Sequence, residues 1–196
     1  MKDGVTIYFV RHGETDWNRF RRYQGQTDIP MNDNGRAQAR RNGEALRQLL
    51  PAIATASYVA SPLVRTLETM RIIRATLGLD PEGFHIEPRL IELNYGHWEG
   101  QLAADLPMTD PDGIAARAAD PYLWRPQGGE NYVDVSARLG AWLGSLDRDT
   151  VAVSHGGVSR ALRGLMIDGL DRAGILDLDV PQDRILVLRK GAVDWL

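Results

Sequence analysis

Two short apolar runs, each ending on a histidine followed by glycine, constrain this chain more than any other feature. Val5-Thr6-Ile7-Tyr8-Phe9-Val10 leads into Arg11-His12-Gly13-Glu14-Thr15, and Val151-Ala152-Val153 leads into Ser154-His155-Gly156-Gly157. Near-continuous apolar runs of this length read as buried strands of a parallel sheet. Each strand then delivers a histidine to the rim of the sheet, where a glycine allows close approach. In open α/β sheets ligands bind beyond the carboxyl ends of the strands. Two histidines there, one with an arginine beside it, point to chemistry on an anion, and phosphate is the obvious one.

The rest of the chain alternates strand-like and helix-like segments, which predicts an α/β fold, a three-layer α/β/α sandwich with a mostly parallel central sheet. Asn32-Asp33-Asn34-Gly35 supplies N-cap chemistry for a helix to about Leu50, with Ala39, Leu46, Leu49 and Leu50 on one face. Tyr58-Val59-Ala60 reads as a strand, and Ser61-Pro62 as the N-cap and first residue of a helix running towards Leu77. Arg65 falls in its first turn, near the same rim. His85-Ile86-Glu87 and Leu90-Ile91 read as extended pieces, and Asn131 as the cap of a helix through Val135, Leu139 and Trp142. A helix from Val158 to Met166 and a closing hairpin, Arg184–Arg189 with Ala192–Leu196, complete the order. Residues 101–127, punctuated by four prolines, read as short helices covering the sheet end within a single domain spanning 1–196.

With 196 residues, 43% hydrophobic and 25% charged, the chain has the profile of a globular domain. A net charge of -3 argues against a nucleic-acid or membrane-surface binder, so the arginines must act locally. The absence of cysteine excludes disulfides, thiolate metal sites and a cysteine nucleophile. The first apolar run is too short for a signal-peptide core, and no window is long enough to span a membrane, so a cytoplasmic location is expected.

Transfer of a phosphoryl group needs an in-line nucleophile, positive partners for the equatorial oxygens and a proton for the leaving alkoxide. A neutral histidine held through its other nitrogen can be the nucleophile, arginine forks suit the oxygens, and a carboxylic acid can supply the proton. Glu92 is the candidate acid. Four scattered histidines make a poor zinc ligand set. His85 and His97 read as non-catalytic, with His97 at the mouth of the pocket, and Arg21 and Arg22 as either a solvated charge run or a substrate-facing gate, the solvated reading being favoured. Glu14 reads as a cap for loop backbone, and Glu99 as the start of a helix.

Arg11-His12-Gly13-Glu14-Thr15 resembles the signature of the histidine phosphatase superfamily, the phosphoglycerate mutase-like proteins. Trp17-Asn18, Gln24-Gly25-Gln26-Thr27-Asp28-Ile29-Pro30, Ser61-Pro62-Leu63-Val64-Arg65, Leu90-Ile91-Glu92-Leu93-Asn94-Tyr95-Gly96, Gly128-Gly129-Glu130 and Ser154-His155-Gly156-Gly157 resemble its further motifs in order. The resemblance covers about residues 5 to 165, and such an ordered set is far more specific than one short pattern. It implies that His12 accepts the phosphoryl group and that Arg11, Arg65 and His155 hold its oxygens, with Asn18 as a further donor. It also implies that Glu92 is the acid, and that Gln24, Gly25, Thr27 and Gly156 border the substrate. No metal and no cofactor is implied. Mutases of the family resemble one another in a longer chain and a glycine-tryptophan pair where this sequence reads Gln24-Gly25-Gln26. The expected function is therefore a phosphatase for a small phosphorylated substrate, ahead of a cofactor-dependent phosphoglycerate mutase and a non-catalytic phosphate-binding module. The substrate itself and a homodimer are left open.

Overall fold

In the computed structural model, residues 1–49, 53–167, 169–170 and 172–196 are described. The expectation for Leu50 lies outside them. The elements run β1 (Ile7–Arg11), α1 (Asp16–Arg19), α2 (Asp33–Arg47), β2 (Ser57–Ala60), α3 (Val64–Thr76), β3 (His85–Ile86), α4 (Leu106–Thr109), α5 (Pro111–Ala119), α6 (Tyr132–Ser145), β4 (Thr150–Ser154), α7 (Gly156–Met166), β5 (Ile185–Arg189) and β6 (Ala192–Trp195).

They form one sheet in the order β3-β2-β4-β1-β5-β6. The first four strands in that order are mutually parallel, and β5 and β6 close one side antiparallel. The side chains of β1 alternate between two cores, as the twofold repeat of a strand requires. Ile7 and Phe9 face α6 and α7 among Val135, Leu139, Trp142, Val158 and Leu162. Tyr8 and Val10 face α2 and α3 among Leu46, Met70, Ile73 and Leu77. Sheet and two helical layers make the expected three-layer α/β/α sandwich.

This layering also fixes where a ligand can bind. Helix α2, the long helix after β1, packs on one face, and α7, after the neighbouring β4, on the other. Between two such strands the connections diverge and leave a crevice at their carboxyl ends. No helix among the described residues is long and apolar enough to cross a membrane.

Two local expectations fail. Ser61 does not cap α3, which begins at Val64 after Leu63, with no side-chain cap of its own. Its first turn is served instead by Asp28, whose Oδ1 accepts from the Val64 N–H at 2.7 Å. Leu90 and Ile91 are not a strand either: Pro88–Leu90 is a single 3₁₀ turn. Pro88 has no N–H for a ladder, and the Glu87 carboxylate accepts from the Arg89 N–H at 3.0 Å, closing the turn locally. Asn131 does cap α6, in a reciprocal arrangement with Asp134.

Candidate active site

Parallel register pairs Arg11 of β1 with Ser154 of β4. The next residues on the two strands, His12 and His155, therefore leave the sheet side by side. Their rings meet edge to face with centroids 5.2 Å apart. Both are buried, His155 completely.

His12 Nδ1–H donates to the carbonyl of Gly13 at 2.8 Å. A carbonyl can only accept, so the proton sits on Nδ1 and Nε2 carries a lone pair. Burial lowers the pKa of His12 well below the usual value, and Arg65 and Arg11 lower it further, with partial relief from the Gly13 carbonyl. His155 is lowered likewise, by burial first and then by Arg65, His12, Arg11 and Arg138. Gly13 cannot be larger, because a Cβ would overlap the Gly35 carbonyl at the start of α2.

Two arginines complete the positive side. Arg11 Nη1 donates to the Val180 carbonyl at 2.6 Å, and burial brings its pKa down to about 10. Arg65, fully buried, donates from Nη1 to the Thr27 carbonyl at 2.9 Å and from Nη2 to the Gly25 carbonyl at 2.7 Å. Among the described residues, the buried Nε atoms of both and the Nδ1 of His155 have no protein partner. Buried polar atoms of this kind are costly unless something pairs with them, and a guanidinium N–H can only donate, so the crevice is built for an anion.

Glu99, expected only at a helix start, organises the loop that holds Arg65. Its carboxylate accepts from Gln26 N at 2.8 Å, Thr27 N at 2.9 Å and Thr27 Oγ1 at 2.6 Å. Gly25 has a left-handed φ of 53°, and a Cβ there would overlap the Glu99 carboxylate. Gly25→Ala is thus expected to cost about 1–3 kcal/mol in backbone strain alone. It should also lower phosphatase kcat/KM by about tenfold or more through Arg65. Thermal melts and steady-state rates on the purified variant check both.

The cavity at this rim has a volume of about 150 Å³, lined by Arg11, His12, Asn18, Gln24, Gly25, Arg65, Glu92 and Gly156. Thr27 and His155 are not among its lining residues: Thr27 faces Glu99 instead, and His155 packs against the ring of His12, which does line it. Gln24 is tied to Thr15, whose Oγ1 donates to Gln24 Oε1 at 2.8 Å. Asn18 Oδ1 accepts from Thr15 N at 3.1 Å and Gln182 Nε2 at 3.1 Å. Glu92 is buried, with Oε1 accepting from Leu93 N at 2.9 Å, and a Cβ on Gly157 would strike that carboxylate. Glu14 serves the loop as a side-chain partner, accepting from Asn32 Nδ2 at 3.0 Å.

The cavity is also lined by residues without a role in the sequence reading: Tyr23, Tyr95, Arg160 and Val180. Arg22 lines it too, against the expectation of a solvated charge. Its guanidinium lies over the Trp17 ring and donates to the Gly100 carbonyl, because Arg22 bridges to Leu102 in a short antiparallel pairing. Arg160 was legible in principle, standing four residues after Gly156 and so on the same face of α7. Val180 and Gln182 carry no local signal. His97 stays outside the lining and meets Asp110 at 2.9 Å, and His85 is exposed on β3.

The buried neutral histidines give stability a definite pH dependence. Below about pH 6.5 the unfolded chain takes up protons that the folded chain refuses, so stability falls with pH until the depressed folded pKa values are reached. Each histidine contributes a slope of about 1.4 kcal/mol per pH unit across that window. Melting temperatures taken between about pH 7 and pH 5 should fall, and fall less steeply in His155→Asn. An equal slope in both proteins would contradict this origin.

A crevice of buried arginines and paired histidines at the strand ends of a three-layer sandwich defines an anion-transfer site. The model of the histidine phosphatase superfamily (branch 1) matches residues 7–194. The chain is 32% identical over 176 residues to the glucosyl-3-phosphoglycerate phosphatase of Mycobacterium tuberculosis (strain H37Rv), covering 82% of this chain and 74% of that protein. It resembles the solved structure of a mycobacterial glucosyl-3-phosphoglycerate phosphatase complexed with VO3, with a TM-score of 0.80, 30% identity, and coverage of 98% and 96% of the two chains. A probable phosphoglycerate mutase from Enterobacter sp. (strain 638) is 44% identical, but over 92 residues, 47% of this chain and 40% of that one. The chain belongs to the histidine phosphatase superfamily. It is a phosphatase. A probable phosphoglycerate mutase from Salmonella paratyphi C (strain RKS4594) is 34% identical over 141 residues, 72% of this chain and 62% of that one.

Proposed function

We propose that the protein hydrolyses small phosphomonoesters in two steps through a phosphohistidine on His12, without a metal ion. In the first step the Nε2 lone pair of His12 attacks phosphorus. The bond to the leaving oxygen breaks, and Glu92 gives that oxygen its proton. In the second step Glu92, now a carboxylate, takes a proton from water, whose oxygen attacks phosphorus and returns the electron pair to Nε2. Arg11, Arg65, His155 and Asn18 hold the equatorial oxygens throughout, so the charge is met by preorganised donors. The single observation that carries this reading is the state of His12: buried, with its pKa lowered well below the usual value, Nδ1 committed to Gly13 and Nε2 without a partner among the described residues, beside two arginines.

The leaving group would lie against Tyr23, Tyr95, Arg22 and Arg160. Two cations and two phenols suit a polar or acidic alcohol more than an apolar one. The segment 101–127 would cover this side as a lid within a single domain: Arg117 Nη1 reaches Tyr23 Oη at 3.0 Å, and Tyr23 lines the cavity. A protein acting on soluble metabolites in the cytoplasm is in keeping with that site.

The test is hydrolysis of p-nitrophenyl phosphate in EDTA, followed by a panel that pairs 3-phosphoglycerate with glycerol 3-phosphate. Turnover in EDTA and a higher kcat/KM for the acidic member support the reading. Loss of activity in EDTA overturns the metal-free mechanism, and rapid mutase turnover without hydrolysis overturns the phosphatase.

A further inference from the structure

Ser61, freed from capping α3, follows the last residue of β2 beside the end of β4. Its hydroxyl lies 2.7 Å from His155 Nε2, and both residues are fully buried. The serine is locked from both sides: its N–H donates to the Val153 carbonyl at 3.0 Å, and its carbonyl accepts from Thr66 Oγ1 at 2.7 Å. Among the described residues the Ser61 hydroxyl has no second partner, and His155 Nδ1 has none at all.

We propose that Ser61 sets the tautomer of His155: its hydroxyl donates to Nε2, which places the ring proton on Nδ1, facing the phosphoryl group. This rests on the reading above, in which His155 touches the transferring group. A serine hydroxyl has one proton and a neutral imidazole has one, which leaves two arrangements. If Nε2–H donated to Ser61, the serine proton would be buried with no acceptor, and Nδ1 would turn a lone pair toward the phosphate oxygens. If Ser61 donates, its proton is satisfied and Nδ1–H becomes a donor for an oxyanion. Protonation of both nitrogens is opposed by burial and by the cations that surround the ring, Arg65, Arg11 and Arg138, with His12 alongside. Ser61 is therefore a positioning residue, acting on the phosphoryl group only through His155.

The experiment pairs NMR of histidine-labelled protein with kinetics of Ser61→Ala and Ser61→Thr. In the wild-type protein the ring shifts of His155 should report a protonated Nδ1 and an unprotonated Nε2. Ser61→Ala should mix the tautomers and lower kcat for p-nitrophenyl phosphate by about 10- to 100-fold, less than the 10²–10³ that follows outright removal of an oxyanion donor. Ser61→Thr, which keeps the hydroxyl, should restore the tautomer and most of the rate. In a His155→Gln background the same alanine change should have no further effect. A protonated Nε2 in the wild type overturns the proposal. So does an unchanged tautomer in Ser61→Ala, or an equal loss of rate in the His155→Gln background. If the wild type hydrolyses no phosphomonoester, the functional reading fails, while the resting-state NMR still decides the tautomer.

Discussion

His12→Gln is expected to lower phosphomonoester hydrolysis by about four orders of magnitude or more, the scale on which enzymes lose activity when a covalent nucleophile is removed. Glutamine fills much of the same volume, so the loop and both arginines should stay in place. It has no basic lone pair at the Nε2 position, so no phosphoenzyme can form. The check is a rapid quench with a ³²P-labelled phosphomonoester into alkali, in which a phosphorus–nitrogen bond survives, followed by exposure to acid, which releases it. Wild type should retain acid-labile label on the protein and His12→Gln none. A variant within about tenfold of wild type would remove His12 from the mechanism.

The second large effect belongs to Glu92, and it should depend on the substrate. General acid catalysis contributes about 10²–10⁴, and only where the leaving oxygen needs a proton. Glu92→Gln should therefore lose that full factor on an alkyl phosphate such as glycerol 3-phosphate. With p-nitrophenyl phosphate the leaving phenolate is stable without a proton, so the first step should run nearly unimpaired. Water would still lack its base in the second step. Stopped-flow traces of Glu92→Gln should then show a burst of nitrophenolate about equal to the enzyme concentration, followed by slow turnover. An equal loss on both substrates with no burst would mean that another group moves the proton.

The residues proposed to carry the chemistry stood out in the sequence because each sits at the end of a strand or the start of a helix, where local patterns are strongest. Arg11, His12 and His155 follow apolar runs that can only be buried strands, and Arg65 follows the next strand closely enough to share the rim. Glu92 was expected at the cavity and lines it, but on a wrong element, since a residue just past a 3₁₀ turn and one at the end of a short strand leave the same trace around Pro88. Ser61 misled for a physical reason. Serine before proline carries strong helix-start chemistry, and here Asp28 takes over the α3 terminus while the hydroxyl turns to His155. Arg22 misled because an arginine pair in a polar stretch looks solvated until Leu102, eighty residues on, is paired to it.

The sequence by itself determined the layers of this protein and the kinds of residue at its rim, because burial periodicity and strand-end placement are local properties. Only the tertiary structure decided which of those residues meet. The register of β1 against β4 brings His12 to His155, the carbonyls of a distant loop aim Arg65, and Glu99 fixes that loop. Distance along the chain carries no record of such contacts, because hydrogen bonds across a sheet or a loop are made by groups that only folding brings together. The proton on a histidine ring depends on those same contacts.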